Sequence, residues 1–359
     1  MPSARGVAAK TGQSAERRHQ RAAVRAPARR VNDGQSGYLR KNRVGPQSQH
    51  NYAVAVQEFE AWANLLGWRR GDLQELDTAL DAYFDEQYWA GELVWVGRQT
   101  LYGLYWQRSL NRKDPSVLPL SRAALQGWER KDPGGSRDPV PWVAVCLIAV
   151  HLIELNTSEA ILAASAFVLA FDMYLRPGET LRITRGHVQP PARCKGYQKW
   201  AVVFFPRDEG ITSKSRAFDY TVIAGTPEAD RGWVAQLLAA LFCRTSVAED
   251  LLFEGLTAPR YRQLIRDAAV ATNTHKCNVS PHSARHGGPS EDHFKNARSL
   301  PCIQERGRWS AAESVDRYRK AGALLRMIAK LSPAVQASGE RAAKSLSTKL
   351  IAAVSSMKR

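Results

Sequence analysis

Apolar residues recur at every third or fourth position through residues 46–135, which is the pattern of amphipathic helices. Asp72 precedes the second periodic stretch and is a predicted N-cap, because its short carboxylate can accept hydrogen bonds from the free N–H groups of a first helical turn. We expect a bundle of about four helices. The residues predicted to face its interior include Val54, Phe59, Trp62, Leu65, Leu66, Leu76, Leu80 and Phe84.

The remainder of the chain mixes helical and strand patterns. Residues 142–155 and a run that starts at Thr157 or Ser158 predict two apolar helices, and the second run stops before Pro177 and Gly178. The stretches AVVFFP and AFDYTVI predict β-strands on either side of the polar turn RDEGITSKS. Helical patterns then continue to the C-terminus. The protein is therefore predicted to be mainly α, with a small β-hairpin or sheet.

Changes in composition divide the chain into predicted domains. Residues 1–45 are rich in Arg, Ala, Gly and Ser, cannot bury much apolar area, and are expected to form a disordered basic tail. Their Arg pairs suit phosphate contacts, a nuclear address or an organellar transit peptide, and the sequence does not separate these. The Gly- and Pro-rich stretch 131–141 predicts a linker. The predicted boundaries are a helical domain at 46–135, a second domain at 136–335, and a C-terminal helix or tail at 336–359.

The net charge of +17 in 359 residues points to a polyanionic partner, because each phosphate that is neutralised releases counterions. The alternative is a solvated basic surface without a fixed partner. Five scattered cysteines without CxxC spacing indicate a reducing compartment rather than a disulfide scaffold or a zinc ribbon. No apolar run is long enough to span a membrane. We expect an intracellular protein, nuclear if its source is eukaryotic and otherwise cytoplasmic. The candidate DNA-backbone contacts of the helical domain are Arg69, Arg70, Arg98 and Arg108.

The stretch LRPGE places Arg176 at a corner between two elements, because a helix breaks at Pro177-Gly178 and another begins. A guanidinium held at such a corner can bind an anion through two parallel hydrogen bonds. Glu179 lies three residues further on and is predicted to support Arg176. The alternative is an ordinary surface ion pair, which contributes little.

In PHSARH, Pro281 is a plausible helix start, and the i,i+3 spacing puts His282 and Arg285 on one helix face. Arg285 would be a second clamp on a phosphate, and His282 a proton acceptor near neutral pH. His286 follows directly. A zinc site built from His282, His286 and Cys277 is a rival interpretation, although its fourth ligand has only Cys302 as a weak candidate. A further interpretation is that the two histidines only satisfy local hydrogen bonds.

The stretch GRWSAAESVDRYRK carries Trp309 and, nine residues later, Tyr318. Ser310 suits an N-cap, so a helix carrying Tyr318 between Arg317 and Arg319 is predicted. A tyrosine between two arginines is either a phosphate contact or a nucleophile.

Taken in order, these motifs resemble the catalytic set of the tyrosine recombinases, the phage-integrase superfamily. LRPGE is similar to the first arginine box, PHSARH to the HxxR box with its trailing His, GRW to the box that holds His or Trp, and Tyr318 to the nucleophile. The hairpin turn TSKS resembles the lysine-bearing turn and makes Lys214 the candidate lysine, with Lys195 and Lys199 as alternatives. The resemblance covers about residues 46–330 and implies a two-domain C-shaped clamp, with a helical core-binding domain and a catalytic domain.

The resemblance implies that Tyr318 attacks double-stranded DNA to give a 3′-phosphotyrosyl link, without a metal or other cofactor. It also implies a tetramer on DNA that exchanges C-terminal segments, for which the chain after Leu331 is available. Two departures stand out: Pro177 inside the first box, and HGGPSEDHF in place of an apolar helix, which predicts a more flexible backbone at 287–289. The alternatives are a non-catalytic DNA-binding protein derived from a recombinase, and a nicking–closing enzyme like the type IB topoisomerases.

Overall fold

The structure is a computed structural model that describes residues 43–133, 137–194, 196, 198–204, 219–311, 313–316 and 320–357. It is mainly helical and contains a small antiparallel sheet, which confirms the predicted fold class at this level. The chain divides into two compact units, Met1–Gly135 and Ser136–Arg359, and each is described by itself. The finer domain boundaries stay predictions, and the tail at 1–42 lies outside the described residues.

The first unit contains the four predicted helices: α1 (Pro46–Leu65), α2 (Leu73–Trp89), α3 (Val94–Gln107) and α4 (Pro119–Lys131). Asp72 caps α2 as predicted, since its carboxylate accepts from Gln74 N at 2.9 Å and Glu75 N at 2.8 Å. The core consists mainly of large apolar side chains, among them Phe59, Leu76, Leu80, Phe84, Leu101, Leu104 and Trp128.

The predicted buried face of α1 is partly wrong. Leu65 is 84% exposed, Leu66 54% and Val54 41%, whereas the buried residues are Ala55, Val56, Phe59 and Ala63. The helix packs against α3, and Gly103 of α3 permits close approach, because a Cβ there would lie 2.7 Å from a methyl group of Val56. A small-residue contact, rather than the largest apolar side chains, therefore decides which face of α1 is buried.

The second unit is built around a buried helix, α6 (Ser158–Asp172), which follows α5 (Trp142–Glu154). Thr157 caps α6 by accepting from Ala160 N at 3.3 Å. The remaining helices of the unit are α7 (Pro177–Thr180), α8 (Val234–Cys243), α9 (Ala258–Ala271), α10 (Pro281–Phe294), α11 (Leu300–Gly307), α12 (Glu313–Asp316), α13 (Ala321–Ala329) and α14 (Pro333–Ser356), with short 3-10 turns at Arg185–His187, Pro227–Ala229 and His275–Cys277.

The sheet has the order β1 (Val188–Gln189), β2 (Ala201–Phe204) and β3 (Tyr220–Ile223), and both pairings are antiparallel. Val188, Val202 and Val222 lie side by side across the three strands and are all buried. This row of valines joins the sheet to the core around α6. The pairing of β2 with β3 confirms the predicted hairpin, whose tip at 205–218 is outside the described part of the chain.

Within the described ranges, the helices are too short or too polar to cross a membrane.

Candidate active site

Arg176 stands where the chain leaves α6 and enters α7. It is the N-cap of α7, and Pro177 occupies the first helical position, where the missing N–H of proline costs nothing. Glu179 closes the turn, because its carboxylate accepts from Arg176 N at 2.9 Å and from Arg176 Nη1 at 2.5 Å. The departure at Pro177 is thus accommodated. The Arg176 side chain is 41% exposed, whereas Glu179 is only 9% exposed.

Arg285 lies on α10 and is fully buried. Its Nη1 donates to the carbonyl of Tyr174, and its Nη2 donates to the carbonyl of Gly307 at 3.0 Å. Nη1 also lies 3.7 Å from Glu179 Oε2. Carbonyls from two separate segments therefore fix this guanidinium beside the carboxylate that holds Arg176. The structure brings Arg176, Glu179 and Arg285 together.

Sequence reasoning missed a third guanidinium. Arg308, at the end of α11, donates from Nη2 to Glu179 Oε2 at 2.5 Å, and its side chain is 3% exposed. One buried carboxylate is therefore shared by three arginines. Burial alone raises the pKa of Glu179, but the guanidiniums of Arg308, Arg285 and Arg176 outweigh it and the pKa is lowered. Only its place directly before Trp309 in GRW could have drawn attention to Arg308.

Trp309 packs at the base of this cluster and is 8% exposed. Its ring is stacked on Tyr174, with 6.4 Å between ring centres and 13° between planes. The Arg285 guanidinium lies 5.3 Å from the Trp309 ring centre. Val315 of α12 belongs to the same apolar cluster. Trp309 thus contacts the segment that leads toward position 318, whereas an indole N–H aimed at phosphate stays a prediction.

His282 and His286 occupy successive turns of α10, with ring centres 5.4 Å apart. Burial, followed by the charges of Arg137, Arg285 and Arg176, lowers the pKa of His282 from 6.5 to about 4. Burial, followed by the charge of Lys320, lowers the pKa of His286 to about 3. Both imidazoles are therefore neutral at pH 7, so His282 is able to accept a proton.

The expectation of a flexible backbone at residues 287–289 is wrong. Gly287, Gly288 and Pro289 lie within α10 and are buried. A Cβ on Gly288 would lie 2.0 Å from the Phe171 carbonyl oxygen, and one on Gly287 would lie 2.3 Å from the Val140 carbonyl oxygen. Gly288 allows the backbone of α10 to approach that of α6, and Gly287 allows it to approach the segment before α5. The contact with α6 brings Arg285 beside Tyr174.

A buried ionic network beneath the site was also missed. Asp172, fully buried at the end of α6, pairs with Arg306 at 2.7 Å and with Arg231 at 3.3 Å. Asp292 of α10 pairs with Arg231 and accepts from the Tyr174 hydroxyl at 2.5 Å. The network joins α6, α10 and α11 and so fixes the segments that carry the arginines. In the sequence, this network could have been suspected from Asp172, a single aspartate at the end of an apolar run.

Several predicted residues fall outside the described ranges: Lys214, Arg317, Tyr318 and Arg319. Lys320, directly after this gap, donates from Nζ to the Arg137 carbonyl at 2.7 Å. The alternative Lys199 is described and is exposed just before β2, whereas Lys195 is outside the described residues. The roles of these residues stay predictions.

In the first unit, three of the four candidate DNA contacts take part in ion pairs. Arg70 pairs with Glu60 at 2.8 Å, and Arg108 lies 3.6 Å from the same carboxylate. Arg98 pairs with Glu129 at 2.7 Å, and Arg69 is exposed. The pairs of Arg98 and Arg108 are partly exposed and weak, which leaves these side chains able to exchange partners. Arg70 is 15% exposed and also donates to the Trp68 carbonyl at 2.6 Å and to Asn64 Oδ1 at 2.5 Å, so its guanidinium is held within the unit.

A metal site was the rival interpretation of His282 and His286. Over the residues that the structure describes, there is no group of three or more His, Cys, Asp or Glu side chains that could hold a metal ion. Cys277 is buried, and its Sγ donates to the Met327 carbonyl at 3.3 Å. The geometry gives the zinc interpretation no support.

The two histidines predict a pH-dependent stability. Their pKa values lie below the 6.5 of an unfolded chain, so the unfolded chain binds protons first as the pH falls. The free energy of unfolding is expected to be unaffected well above pH 6.5 and to decline from there toward pH 4. In denaturant titrations over this range, the double variant His282→Gln, His286→Gln should show a shallower decline. His275→Gln, at an exposed position, is the control; an equally steep decline in the double variant would contradict the prediction.

No protein-family model matches the sequence, and a search of curated proteins finds no match. Among solved structures, the chain is similar to the XerH site-specific recombinase bound to palindromic difH substrate in a post-cleavage complex, with 12% identity and a TM-score of 0.46. The similarity covers 78% of this chain and 79% of that one. The side chains of the site, rather than this similarity, carry the proposed function.

Proposed function

We propose that the protein is a site-specific DNA recombinase that cuts and rejoins DNA through a 3′-phosphotyrosyl intermediate at Tyr318. The observation that carries this proposal is the cluster of Arg176, Arg285 and Glu179, which distant segments bring together beside neutral His282. Arg176 is exposed enough to bind an anion with several oxygens, such as a phosphodiester, and the buried Arg285 adds a fixed positive charge beside it.

The chemistry follows from the charges. Tyr318 Oη would form a bond to phosphorus while the bond from phosphorus to the 5′-oxygen breaks. The phenol proton would pass to His282, and the departing 5′-oxygen would take a proton from Lys214. Negative charge grows on the non-bridging oxygens during attack, so guanidiniums held in place favour the transition state over the ground state. Rejoining is the same sequence in reverse.

The state of His282 supports this role. A histidine with its usual pKa would be partly protonated near neutral pH and partly unable to act as a base. Here burial and three neighbouring guanidiniums hold the pKa of His282 at about 4, so the imidazole is neutral at pH 7 but is a weaker base than an ordinary histidine. The negative charge of a bound phosphate would raise this pKa and strengthen the base. In this scheme two arginines and a lysine supply the positive charge at the phosphate, and no metal or cofactor is needed.

The proposed partner is double-stranded DNA, as the charge of +17 suggests. Arg69, Arg70, Arg98 and Arg108 of the first unit, together with Arg317 and Arg319, are the proposed backbone contacts, and His286 is proposed to support His282. We further propose a homotetramer as the working assembly on DNA, with the C-terminal segment exchanged between copies.

The experiment that tests the function does not require a known target sequence. The full chain is incubated in EDTA with a pool of duplexes that combine a randomised segment with a nick, so that the short fragment released by cleavage diffuses away and traps the covalent complex. Protein-bound DNA is recovered under denaturing conditions, sequenced, and its attachment site mapped by mass spectrometry. We expect a phosphotyrosine on the peptide containing Tyr318 and an enriched sequence around the cleaved bond. DNA binding without any adduct would contradict the proposal.

The alternative functions give other results in the same assay. A non-catalytic DNA-binding protein would enrich sequences by affinity but form no adduct. A nicking–closing enzyme would form the adduct with little sequence enrichment and would relax supercoiled plasmid as a monomer.

A further inference from the structure

Arg308 carries two local costs. Its backbone is left-handed, with φ 58° and ψ 42°, a conformation that non-glycine residues adopt at a cost of about 1 kcal/mol or more. In addition, its Nη1 is buried and has no hydrogen-bond partner among the described residues. Glycine is available one residue earlier, but Gly307 is needed there, since a Cβ would lie 2.2 Å from the Trp309 ring. Arg308 is therefore the residue that adopts the left-handed conformation.

What offsets these costs is the contact with Glu179. Arg308 Nη2 lies 2.5 Å from Glu179 Oε2, and its guanidinium stacks over the Phe204 ring at 4.6 Å. Glu179 uses its other oxygen, Oε1, for Arg176. After burial, which acts in the opposite direction, Arg308 has the largest effect on the pKa of Glu179 and lowers it. Arg308 is thus the main counter-charge of the carboxylate.

We propose that Arg308 is a positioning residue: by neutralising Glu179 it weakens the hold of that carboxylate on Arg176, so that Arg176 can move to the phosphate. This inference rests on the proposed function and deepens it. Arg176 is 41% exposed and can reach an incoming anion, whereas Arg308 is 3% exposed and stays with the carboxylate. With Glu179 and Arg308 paired, Arg176 and Arg285 leave a charge of +2, of which the exposed Arg176 can contact the phosphate and the buried Arg285 acts through its field. That charge suits the attacked phosphate, which goes from one negative charge to two.

Loss of Arg308 would leave the negative charge of Glu179 without its main counter-charge. Glu179 is 9% exposed, so its charge is poorly solvated and needs a cation. Arg176 would then be held by the carboxylate and would leave it less readily for the phosphate. The defect would come from an unneutralised Glu179 rather than from a lost phosphate contact, so removing the charge of Glu179 should repair it.

The test is a double-mutant cycle in the full chain. Arg308→Gly removes the guanidinium and relieves the left-handed backbone; Glu179→Gln keeps an acceptor oxygen but no charge. We expect Arg308→Gly to slow adduct formation by about 10- to 100-fold. Glu179→Gln should slow it as well, because the buried Arg308 then lacks its counter-charge. The double variant, in which neither charge is left unpaired, should regain most of the loss of Arg308→Gly. Arg308→Lys should retain most of the rate. Asn296→Gly, which relieves an exposed left-handed residue at φ 54° in the same unit, is the control for the backbone.

The pH profile gives a second readout that a purely structural role would not move. In Arg308→Gly the Glu179 carboxylate lacks its main counter-charge, so protonation at lower pH should restore part of the rate relative to the parent chain. The inference is overturned if the double variant is as slow as Arg308→Gly. It is also overturned if the ratio of the Arg308→Gly rate to the parental rate does not change with pH. Both outcomes would mean that Arg308 acts in another way.

Inorganic phosphate separates this inference from the proposed function. In melting experiments at constant ionic strength, phosphate should raise the melting temperature of the parent chain. The increase should be smaller for Arg308→Gly and should return to nearly the parental value in the double variant. If the parent chain forms no adduct on DNA but shows this phosphate pattern, the recombinase proposal fails and the role of Arg308 stands. If adducts form and the double variant shows no rescue in either assay, the role of Arg308 fails alone.

Discussion

Tyr318→Phe is expected to abolish the covalent protein–DNA adduct, while DNA affinity changes by no more than about twofold. Phenylalanine has no oxygen to form the phosphoester, so loss of the nucleophile removes the intermediate altogether rather than slowing it. The ring remains, and the guanidiniums that attract the phosphate are unchanged. Adduct is measured on denaturing gels with the trapped substrate, and affinity by electrophoretic mobility shift at a stated salt concentration.

The matched control for this change is Tyr261→Phe. Tyr261 is fully buried in the second unit, and its hydroxyl has no hydrogen-bond partner among the described residues, so removing that oxygen should leave folding and adduct formation intact. An adduct that persists in Tyr318→Phe at the parental rate would show that another group is the nucleophile. A variant that no longer binds DNA would show that Tyr318 has a binding role instead.

Gly288→Ala is expected to destabilise the second unit by about 3 kcal/mol or more, the upper range for overpacked cores. An added Cβ would lie 2.0 Å from the Phe171 carbonyl oxygen and 2.8 Å from the Tyr174 ring, so α10 and α6 would have to separate. For a unit of this size, the melting temperature should fall by roughly 6–12 °C in a circular dichroism melt.

Gly322→Ala is the control for Gly288→Ala. Gly322 lies in the helix α13, and no described atom is within 4 Å of a Cβ built on it, so alanine should be neutral or slightly stabilising there. Adduct formation by Gly288→Ala should also fall, because Arg285 is held by the Tyr174 carbonyl across the same contact. Unchanged melting of Gly288→Ala would show that α10 and α6 are not packed as closely as described.

Much of the secondary structure could be predicted from local chemistry. Asp72 and Thr157 cap their helices as their short polar side chains suggest, and the hairpin follows from two apolar runs around a polar turn. These features depend on neighbours in sequence. The buried face of α1 does not, because that helix has apolar residues on several sides and its contact with α3 decides which of them are covered.

The spatial arrangement of the site was harder to predict from the sequence. Gly287, Gly288 and Pro289 have the composition of a helix break, yet a buried helix needs small residues where two backbones meet. Arg308 and Asp172 were missed because a charged side chain shows its role only when its partner is known. Glu179 is 129 residues from Arg308, and no local pattern connects them. Arg176, Glu179 and Arg285 could be found, because each stands in a short motif.

The final helix, α14, lies along α5 of its own chain and buries Leu346, Leu350 and Val354. Gly339 lets the two backbones meet, since a Cβ there would be 2.8 Å from the Val143 carbonyl oxygen. If copies exchange this helix on DNA, each donor uncovers an apolar groove that only another α14 can refill. An open row of copies would always leave one groove bare and prone to aggregate, whereas a closed ring leaves none. Exchange of α14 therefore favours closed rings over filaments.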